Sequence, residues 1–234
     1  MLRLGGIDRP SSLEPSGAAL FERHPAIYGL CREHLFRDDT ERICRSLWGR
    51  AGPAQGTTVL EVGCGPGHYA RRLAARFESL HIVGIDSSGA QLRRARAAAR
   101  AHGLRGCRFE RGDARDLPRP EASVDAVIVS RLFTVLPERE RVMSEIHRVL
   151  RPGGLAFIAE PRSSVRAGVA LELMRLTAGA ASLLSFLSAG PGRAEKASVM
   201  TSADFARLTE HQPWARVQHE ADRWYQYAVC AKGP

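Results

Sequence analysis

The 234-residue chain has very little lysine. Among its 34 basic residues only Lys196 and Lys232 are lysines, so the net charge of +9 comes from arginines spread along the sequence. A dispersed excess of this kind is typical of solvated surfaces, whereas a nucleic-acid site concentrates its charge on one face. Composition therefore makes a nucleic-acid partner an unfavoured interpretation, and an arginine surface for RNA or protein stays open as the alternative.

The chain also lacks paired cysteines. Its five cysteines contain no CxxC motif and are odd in number, which argues against a disulfide framework and against a zinc ribbon. A reducing compartment fits this pattern, and we expect a cytoplasmic protein.

Long apolar runs are missing as well. Residues 1–18 have no apolar core of the length that a signal peptide needs, and we expect a disordered leader there. The most apolar segment, Leu176–Gly192, is diluted with glycine and serine. It falls short of the roughly 20 predominantly apolar residues of a spanning helix, so no transmembrane segment is predicted.

What the sequence does contain is an alternation of strand-like and helical patterns, which is typical of a parallel sheet with crossover helices. The predicted strands are Thr58–Val62, Leu80–Ile85, Cys107–Arg111, Val124–Ser130 and Leu155–Glu160, followed by an antiparallel hairpin of Trp214–Glu220 and Trp224–Ala231. The predicted helices are Tyr69–Phe77, Gly89–His102, Pro137–Leu150 and Ser202–His211.

Two helical additions surround this core. Residues 19–50 are predicted to form an N-terminal helical arm, and residues 163–200 a helical lid inserted after the fifth strand. Both belong to a single α/β domain that spans residues 19–234.

A glycine-rich loop follows the first strand in the stretch VLEVGCGPGHYA, Val59 to Ala70. Crowded glycines let the backbone approach a ligand. A Walker loop needs a Lys-Ser/Thr pair after its last glycine, but His68 and Tyr69 follow Gly67 here. The spacing GxGxG is also close to, but different from, the dinucleotide fingerprint GxGxxG, so the loop alone leaves several nucleotides open.

Acidic residues at the following strand ends narrow the choice. Asp86 closes the second strand 19 residues after Gly67, where a carboxylate can accept the hydroxyls of a ribose. The third strand runs into RGDARDLP, which brings Asp113 and Ala114 to the expected position of an adenine edge. The predicted ligand therefore carries a nucleoside.

Four ordered motifs, EVGCGPG, GIDSS, GDARDLP and EIHRVLRPGG, lie within residues 55–162. Together they resemble the class I S-adenosylmethionine-dependent methyltransferases, in particular those that act on small molecules. The resemblance implies a Rossmann-like, seven-stranded, mostly parallel sheet with helices on both faces. It also implies S-adenosyl-L-methionine as the cofactor and methyl transfer by in-line displacement, for which no metal is required.

The same resemblance implies which residues contact the cofactor. The glycines would approach the methionine and ribose portion, Asp86 would hold the ribose, and Asp113 would meet the adenine amino group. The full set of expected cofactor contacts is Tyr28, Glu61, Gly63, Cys64, Gly65, Gly67, Asp86, Ser87, Asp113, Ala114, Ser130 and Arg131.

The methyl acceptor is less constrained by the sequence. DNA aminomethylating enzymes carry an Asn/Asp-Pro-Pro-aromatic tetrad after the fourth strand, but the sequence here is Ser130-Arg-Leu-Phe133. The missing tetrad makes a nucleic-acid acceptor less favoured. The apolar residues of Leu183–Leu187 in the predicted lid favour a small lipophilic acceptor, although simple packing of the lid explains them equally well. A cofactor-binding protein with chemistry other than methyl transfer also remains an alternative.

Glu160, at the end of the fifth strand, is the predicted general base, because a carboxylate there could orient or deprotonate an acceptor hydroxyl or acidic carbon. The alternative is a structural role as a hydrogen-bond acceptor for neighbouring backbone. Tyr225 and Tyr227, on the last strand, are expected to contribute to sheet packing.

Overall fold

A computed structural model describes residues 38–162 and 199–234. Tyr28, the predicted leader at residues 1–18, the arm before residue 38 and the predicted lid from residue 163 to residue 198 lie outside these ranges.

The described residues form five helices and seven strands. In chain order they are α1 (Thr40–Trp48), β1 (Thr58–Val62), α2 (His68–Arg76), β2 (His81–Asp86), α3 (Gly89–Ala101), β3 (Cys107–Arg111), β4 (Val124–Ser130), α4 (Arg139–Val149), β5 (Leu150–Pro161), α5 (Ser202–Thr209), β6 (Trp214–Ala221) and β7 (Tyr225–Lys232).

The strands make one sheet in the order β3-β2-β1-β4-β5-β7-β6. Strands β1 to β5 pair in parallel, whereas β7 is antiparallel to both β5 and β6. The prediction of a seven-stranded, mostly parallel sheet with a closing antiparallel hairpin is confirmed. The strand order reverses direction between β1 and β4, and in open α/β sheets ligands bind at the carboxyl ends of the strands beside such a switch point.

Helices cover both faces of the sheet, because successive residues of a strand point to opposite sides. Val59 of β1 packs in a core cluster with residues from α1, α2 and α3. The next residue, Leu60, packs on the other face with α4 and α5. Both residues are fully buried, so neither face of the central strand is open to solvent.

Local signals fix the ends of the crossover helices. The Ser88 hydroxyl accepts a hydrogen bond from the Gln91 backbone N–H and caps α3, which removes one unsatisfied donor of the first turn. Gly103 has a φ of +64° just after the end of α3, a left-handed conformation that glycine adopts without steric strain.

The start of β5 differs from the prediction. The strand begins at Leu150, five residues before the predicted Leu155, because Leu150 already pairs with Val124 of β4. The Gly153 N–H donates to the Gly233 carbonyl oxygen at 3.1 Å. The Arg-Pro-Gly-Gly segment therefore ends the helix as expected and then continues directly as strand.

Candidate functional site

The glycine loop between β1 and α2 folds back onto the end of β2. Gly63, Gly65 and Gly67 have φ values of +69°, +52° and +73°, which place all three in the left-handed region that side chains disfavour. The N–H groups of Gly63 and Cys64 both donate to the Ile85 carbonyl oxygen, at 2.8 and 3.0 Å. The loop is therefore a fixed turn at the carboxyl ends of β1 and β2.

Close packing makes side chains intolerable at two of the glycines around the loop. A Cβ atom at Gly67 would lie 2.4 Å from Cε1 of Phe109, and one at Gly84 would lie 2.9 Å from Sγ of Cys64. Cys64 itself is 3% exposed, and burial raises the pKa of its thiol well above the usual value. The geometry gives Cys64 a packing contact, and its predicted contact with the cofactor stays a prediction.

Glu61 secures the start of α2. Its carboxylate is buried and accepts a hydrogen bond from the Ala70 N–H at 2.8 Å. The first N–H groups of a helix have no partner within the helix and carry partial positive charge, so a carboxylate there is favourable. Glu61 thus holds the helix that follows the glycine loop.

Asp86 lies where the sequence predicts the ribose acceptor. One carboxylate oxygen accepts from the Gly65 N–H at 2.7 Å, and the other from the Ser88 N–H at 2.8 Å. Burial raises the pKa of Asp86, and these two hydrogen bonds oppose that rise. An ionised carboxylate offers about four acceptor positions, so Asp86 can hold the loop and ribose hydroxyls together.

Asp113, on the loop after β3, is paired with Arg115. The guanidinium Nη2 of Arg115 lies 2.7 Å from a carboxylate oxygen of Asp113, and the same guanidinium also pairs with Glu138. The hydrogen bond from Arg115 lowers the pKa of Asp113 and keeps it ionised. Asp113 and its half-buried neighbour Ala114 are thereby fixed beyond the end of β3, one strand from Asp86.

Ser130 and Arg131 close β4, next to β1 in the sheet. The Ser130 hydroxyl oxygen is buried and has no hydrogen-bond partner among the described residues, a situation that a bound ligand or water resolves in most proteins. Arg131 adopts a φ of +58° and its side chain reaches the hydroxyls of Tyr69 and Tyr225. Both residues lie at the switch point of the sheet.

Glu160 is completely buried at the end of β5. One carboxylate oxygen accepts from the Phe133 N–H at 2.8 Å and the other from the Thr134 hydroxyl at 2.7 Å. Burial raises the pKa of Glu160 above its ordinary value. The carboxylate therefore ties the loop after β4 to β5, which matches the structural alternative, and its predicted role as a base stays a prediction.

Taken together, these groups fit the nucleoside part of a cofactor. Asp86 and Asp113 offer carboxylates to hydroxyl and amino groups, and Ser130 supplies an unpartnered hydroxyl. Ser87 is exposed beside Asp86. Within residues 38–162 and 199–234, no three His, Cys, Asp or Glu side chains are placed to hold a metal ion.

The sequence interpretation missed two site contacts. Tyr225 was expected only to pack in the sheet, but its hydroxyl accepts a hydrogen bond from Arg131 at 3.3 Å. Thr134 was not singled out, yet it bonds Glu160. Both contacts join segments far apart in sequence, and a single sequence carries no signal for them.

Comparison with known proteins identifies the domain. The methyltransferase-domain family matches residues 59–154. Trans-aconitate 2-methyltransferase of Azoarcus sp. strain BH72 is 34% identical over 128 residues, which are 55% of this chain and 48% of that protein. Fatty-acid O-methyltransferase of Mycolicibacterium smegmatis is 37% identical over 108 residues, 46% of this chain and 38% of that protein.

A solved structure of an S-adenosylmethionine-dependent methyltransferase from Aquifex aeolicus shares the fold. It superposes with a TM-score of 0.62 at 20% identity and covers 88% of this chain and 97% of its own.

The chain spans half or less of these two curated relatives, and the match centres on the glycine loop and the strands around it. In the part of the chain that the structure describes, no helix is both long and apolar enough to cross a bilayer. The family match, the strand order and the motif positions agree, which confirms the resemblance seen in the sequence: residues 59–154 form a methyltransferase domain, and the fold is that of the class I S-adenosylmethionine-dependent methyltransferases.

Proposed function

We propose that this protein transfers a methyl group from S-adenosylmethionine to a small lipophilic acceptor. The observation that carries the proposal is the junction of β1, β2 and β4. There Asp86 bonds the glycine loop through the Gly65 N–H, and the unpartnered Ser130 hydroxyl closes the neighbouring strand.

In this proposal the cofactor lies across the carboxyl ends of β1 to β4. Asp86 holds the ribose, Asp113 meets the adenine amino group, and the glycine loop faces the methionine portion. When bound, the cofactor supplies an electrophilic methyl group on a sulfonium sulfur. The protein then has to align the acceptor atom with that methyl group and to exclude water.

A small acceptor is favoured by the relatives and by the site itself. The two curated relatives described above are named for trans-aconitate and for fatty acids, both small molecules. At the end of β4 the side chains are aromatic and close-packed: Tyr69 is fully buried and Tyr225 is 9% exposed. Buried aromatic side chains beside the end of β4 suit a small organic molecule better than a nucleic-acid strand.

Glu160 has a positioning role in this scheme. Its carboxylate is committed to Phe133 and Thr134, so it orders the loop that follows β4, beginning at Arg131. The acceptor then meets Arg131 and Tyr225 first.

The test is a transfer assay with cofactor labelled in its methyl group. The full chain is incubated with a cell extract, and the label is measured separately in organic-soluble small molecules, in RNA and in protein. Label in the small-molecule fraction, absent with Asp86→Ala, supports the proposal. Label confined to RNA or protein would establish the alternative use of the arginine-rich surface instead, and no label in any fraction would refute methyl transfer.

A further inference from the structure

Arg131 has a backbone conformation that arginine rarely adopts. Its φ is +58°, and Ala122 is the only other non-glycine residue with a positive φ in the described part of the chain. The Arg131 N–H donates to the Ala159 carbonyl oxygen of β5 at 2.8 Å, which fixes this conformation. Backbone strain in non-glycine residues is concentrated at ligand-binding and active sites.

Two tyrosines from different elements hold the Arg131 side chain. Nη2 donates to the Tyr69 hydroxyl of α2 at 3.4 Å, and Nη1 donates to the Tyr225 hydroxyl of β7 at 3.3 Å. The guanidinium carbon also lies 5.7 Å from the centre of the Tyr225 ring, within the range of a cation–π contact. The cation is thus positioned by buried aromatic groups at the carboxyl end of β4.

The hydroxyls of Tyr69 and Tyr225 both accept from Arg131 but differ as hydrogen-bond donors. Tyr69 donates to an Asp39 carboxylate oxygen at 3.5 Å. Tyr225 accepts from Arg131, and among residues 38–162 and 199–234 its hydroxyl donates to no other group. A phenol O–H donor therefore stands directly beside a guanidinium. Carboxylate oxygens accept from both kinds of donor, and arginine matches their planar geometry.

Tyr227, the next aromatic residue on β7, already has its hydroxyl beside carboxylates of the protein. The Tyr227 hydroxyl, two residues along β7, lies 3.1 Å from an Asp39 carboxylate oxygen and 3.3 Å from one of Asp222, and its single proton can be donated to either. The phenol groups at this end of the sheet are therefore placed to satisfy carboxylates, and Tyr225 is the one whose hydroxyl has donor capacity left.

The position of this pair separates it from the nucleoside contacts. Asp86 and Asp113 belong to β2 and to the loop after β3, whereas Tyr225 belongs to β7, which lies beyond β5 on the other side of β4. Arg131 reaches from β4 towards β7. The donor pair therefore lies on the side of β4 that leads to β5 and β7, away from Asp86 and Asp113, while Tyr69 links Arg131 to the helix after the glycine loop.

We propose that Arg131 and Tyr225 anchor a carboxylate of the methyl acceptor, so that the substrate is a lipophilic carboxylic acid; this rests on the proposed function. A carboxylate oxygen forms the new bond to the methyl carbon, and the sulfur keeps the electron pair of the bond that breaks. The product is a methyl ester, and no proton is transferred. A buried base is not needed for this reaction, in agreement with the hydrogen bonds that occupy Glu160. The ester has lost the negative charge that Arg131 holds, which favours product release.

The test combines binding with turnover on the full chain. Decanoate, cinnamate and adipate are titrated calorimetrically in the presence of S-adenosylhomocysteine, alongside their methyl esters and corresponding alcohols. The same compounds serve as acceptors for labelled methyl transfer. The variants are Arg131→Gln, Arg131→Lys and Tyr225→Phe, with Arg108→Gln, an exposed arginine on β3, as the matched control. Melting curves verify that each variant is folded.

We expect at least one acid to bind and to be methylated while its ester does neither. Arg131→Gln should weaken acid binding by about 10- to 100-fold, with Tyr225→Phe and Arg131→Lys intermediate, because a hydrogen bond to a charged group is lost. The affinity for S-adenosylhomocysteine should stay unchanged in Tyr225→Phe and Arg108→Gln, and in the Arg131 variants it should change far less than the affinity for the acid. Methylation of alcohols but not of acids would overturn the inference and leave the proposed function intact. Loss of S-adenosylhomocysteine affinity in Arg131→Gln, with acid binding retained, would also overturn it, because Arg131 would then hold the carboxylate of the cofactor.

Discussion

Glu160 offers the sharpest test of how the site is held together, because it was predicted as a base and is observed as an anchor. The perturbations are Glu160→Gln, Glu160→Ala and Thr134→Val. Alanine removes both acceptors and leaves the Phe133 N–H without its partner. An unsatisfied buried donor costs about 1–3 kcal/mol, and the vacated space adds to that, so we expect a total loss of about 2–4 kcal/mol.

Glutamine and valine should have smaller effects. The amide oxygen of Glu160→Gln can still accept from Phe133 and its amino group can donate to the Thr134 hydroxyl, so the expected loss is below about 1 kcal/mol. Thr134→Val removes a single hydrogen bond to a charged group, worth about 1.5–3 kcal/mol. The free energies of unfolding from urea titration give all three values.

The pH dependence of the stability is a second test of the role of Glu160. The pKa of Glu160 is raised in the folded state by burial, so its favourable contribution is fully present below the unfolded pKa and is lost as the pH rises through the folded pKa. The free energy of unfolding of Glu160→Gln, relative to that of the wild type, should therefore be higher at about pH 8 than at about pH 4. The anchor role is refuted if Glu160→Gln abolishes methyl transfer while stability and its pH dependence match those of the wild type.

Three further predictions concern the cofactor half of the site. Gly67→Ala should destabilise the fold by about 2–4 kcal/mol in urea titrations, because alanine is strained in the left-handed conformation and its Cβ would overlap Phe109. The control Gly103→Ala has the same backbone strain but open space around the new Cβ, so it should lose only about 1 kcal/mol. Equal losses in the two variants would contradict the packing argument. Asp86→Asn should weaken calorimetric binding of S-adenosylhomocysteine by about 10-fold, since hydrogen bonds to a charged acceptor are lost, whereas Asp125→Asn, at the opposite end of β4, should not. The hydrogen bond from Arg115 lowers the pKa of Asp113. The stability that this pair provides is therefore present above the unfolded pKa of Asp113 and is lost as the pH falls through its folded pKa. The difference in urea midpoint between wild type and Arg115→Gln should shrink below about pH 4, and a difference that stays constant with pH would count against the pair.

Much of the fold was accessible from the sequence, because local patterns determine it. Alternating apolar runs place all seven strands, and the ends of β1, β3 and β4 agree with the structure. The serines before α3 limit its cap to Ser87 or Ser88, of which the structure uses Ser88, and Gly103 suits the left-handed turn that follows the helix. The start of β5 was missed because Leu150 joins the sheet through a pairing with Val124, which no local pattern reveals.

The candidate site also has a part that the sequence predicts and a part that depends on contacts between distant segments. The glycine loop and Asp86 lie at consecutive strand ends, so that their order in the sequence predicts their proximity. The contacts of Arg131 with Tyr69 and Tyr225 span 62 and 94 residues. They depend on the position of β7 beside β5, which is a property of the folded sheet.

The cofactor site is tested most directly by one titration. S-adenosylhomocysteine is titrated calorimetrically into the full chain and into Asp86→Ala. We expect saturable binding with a single site per chain, strongly weakened in the variant, because Asp86 holds the glycine loop and, in the proposed function, the ribose. Absence of binding to the wild-type chain, or equal affinity in the two proteins, would contradict it.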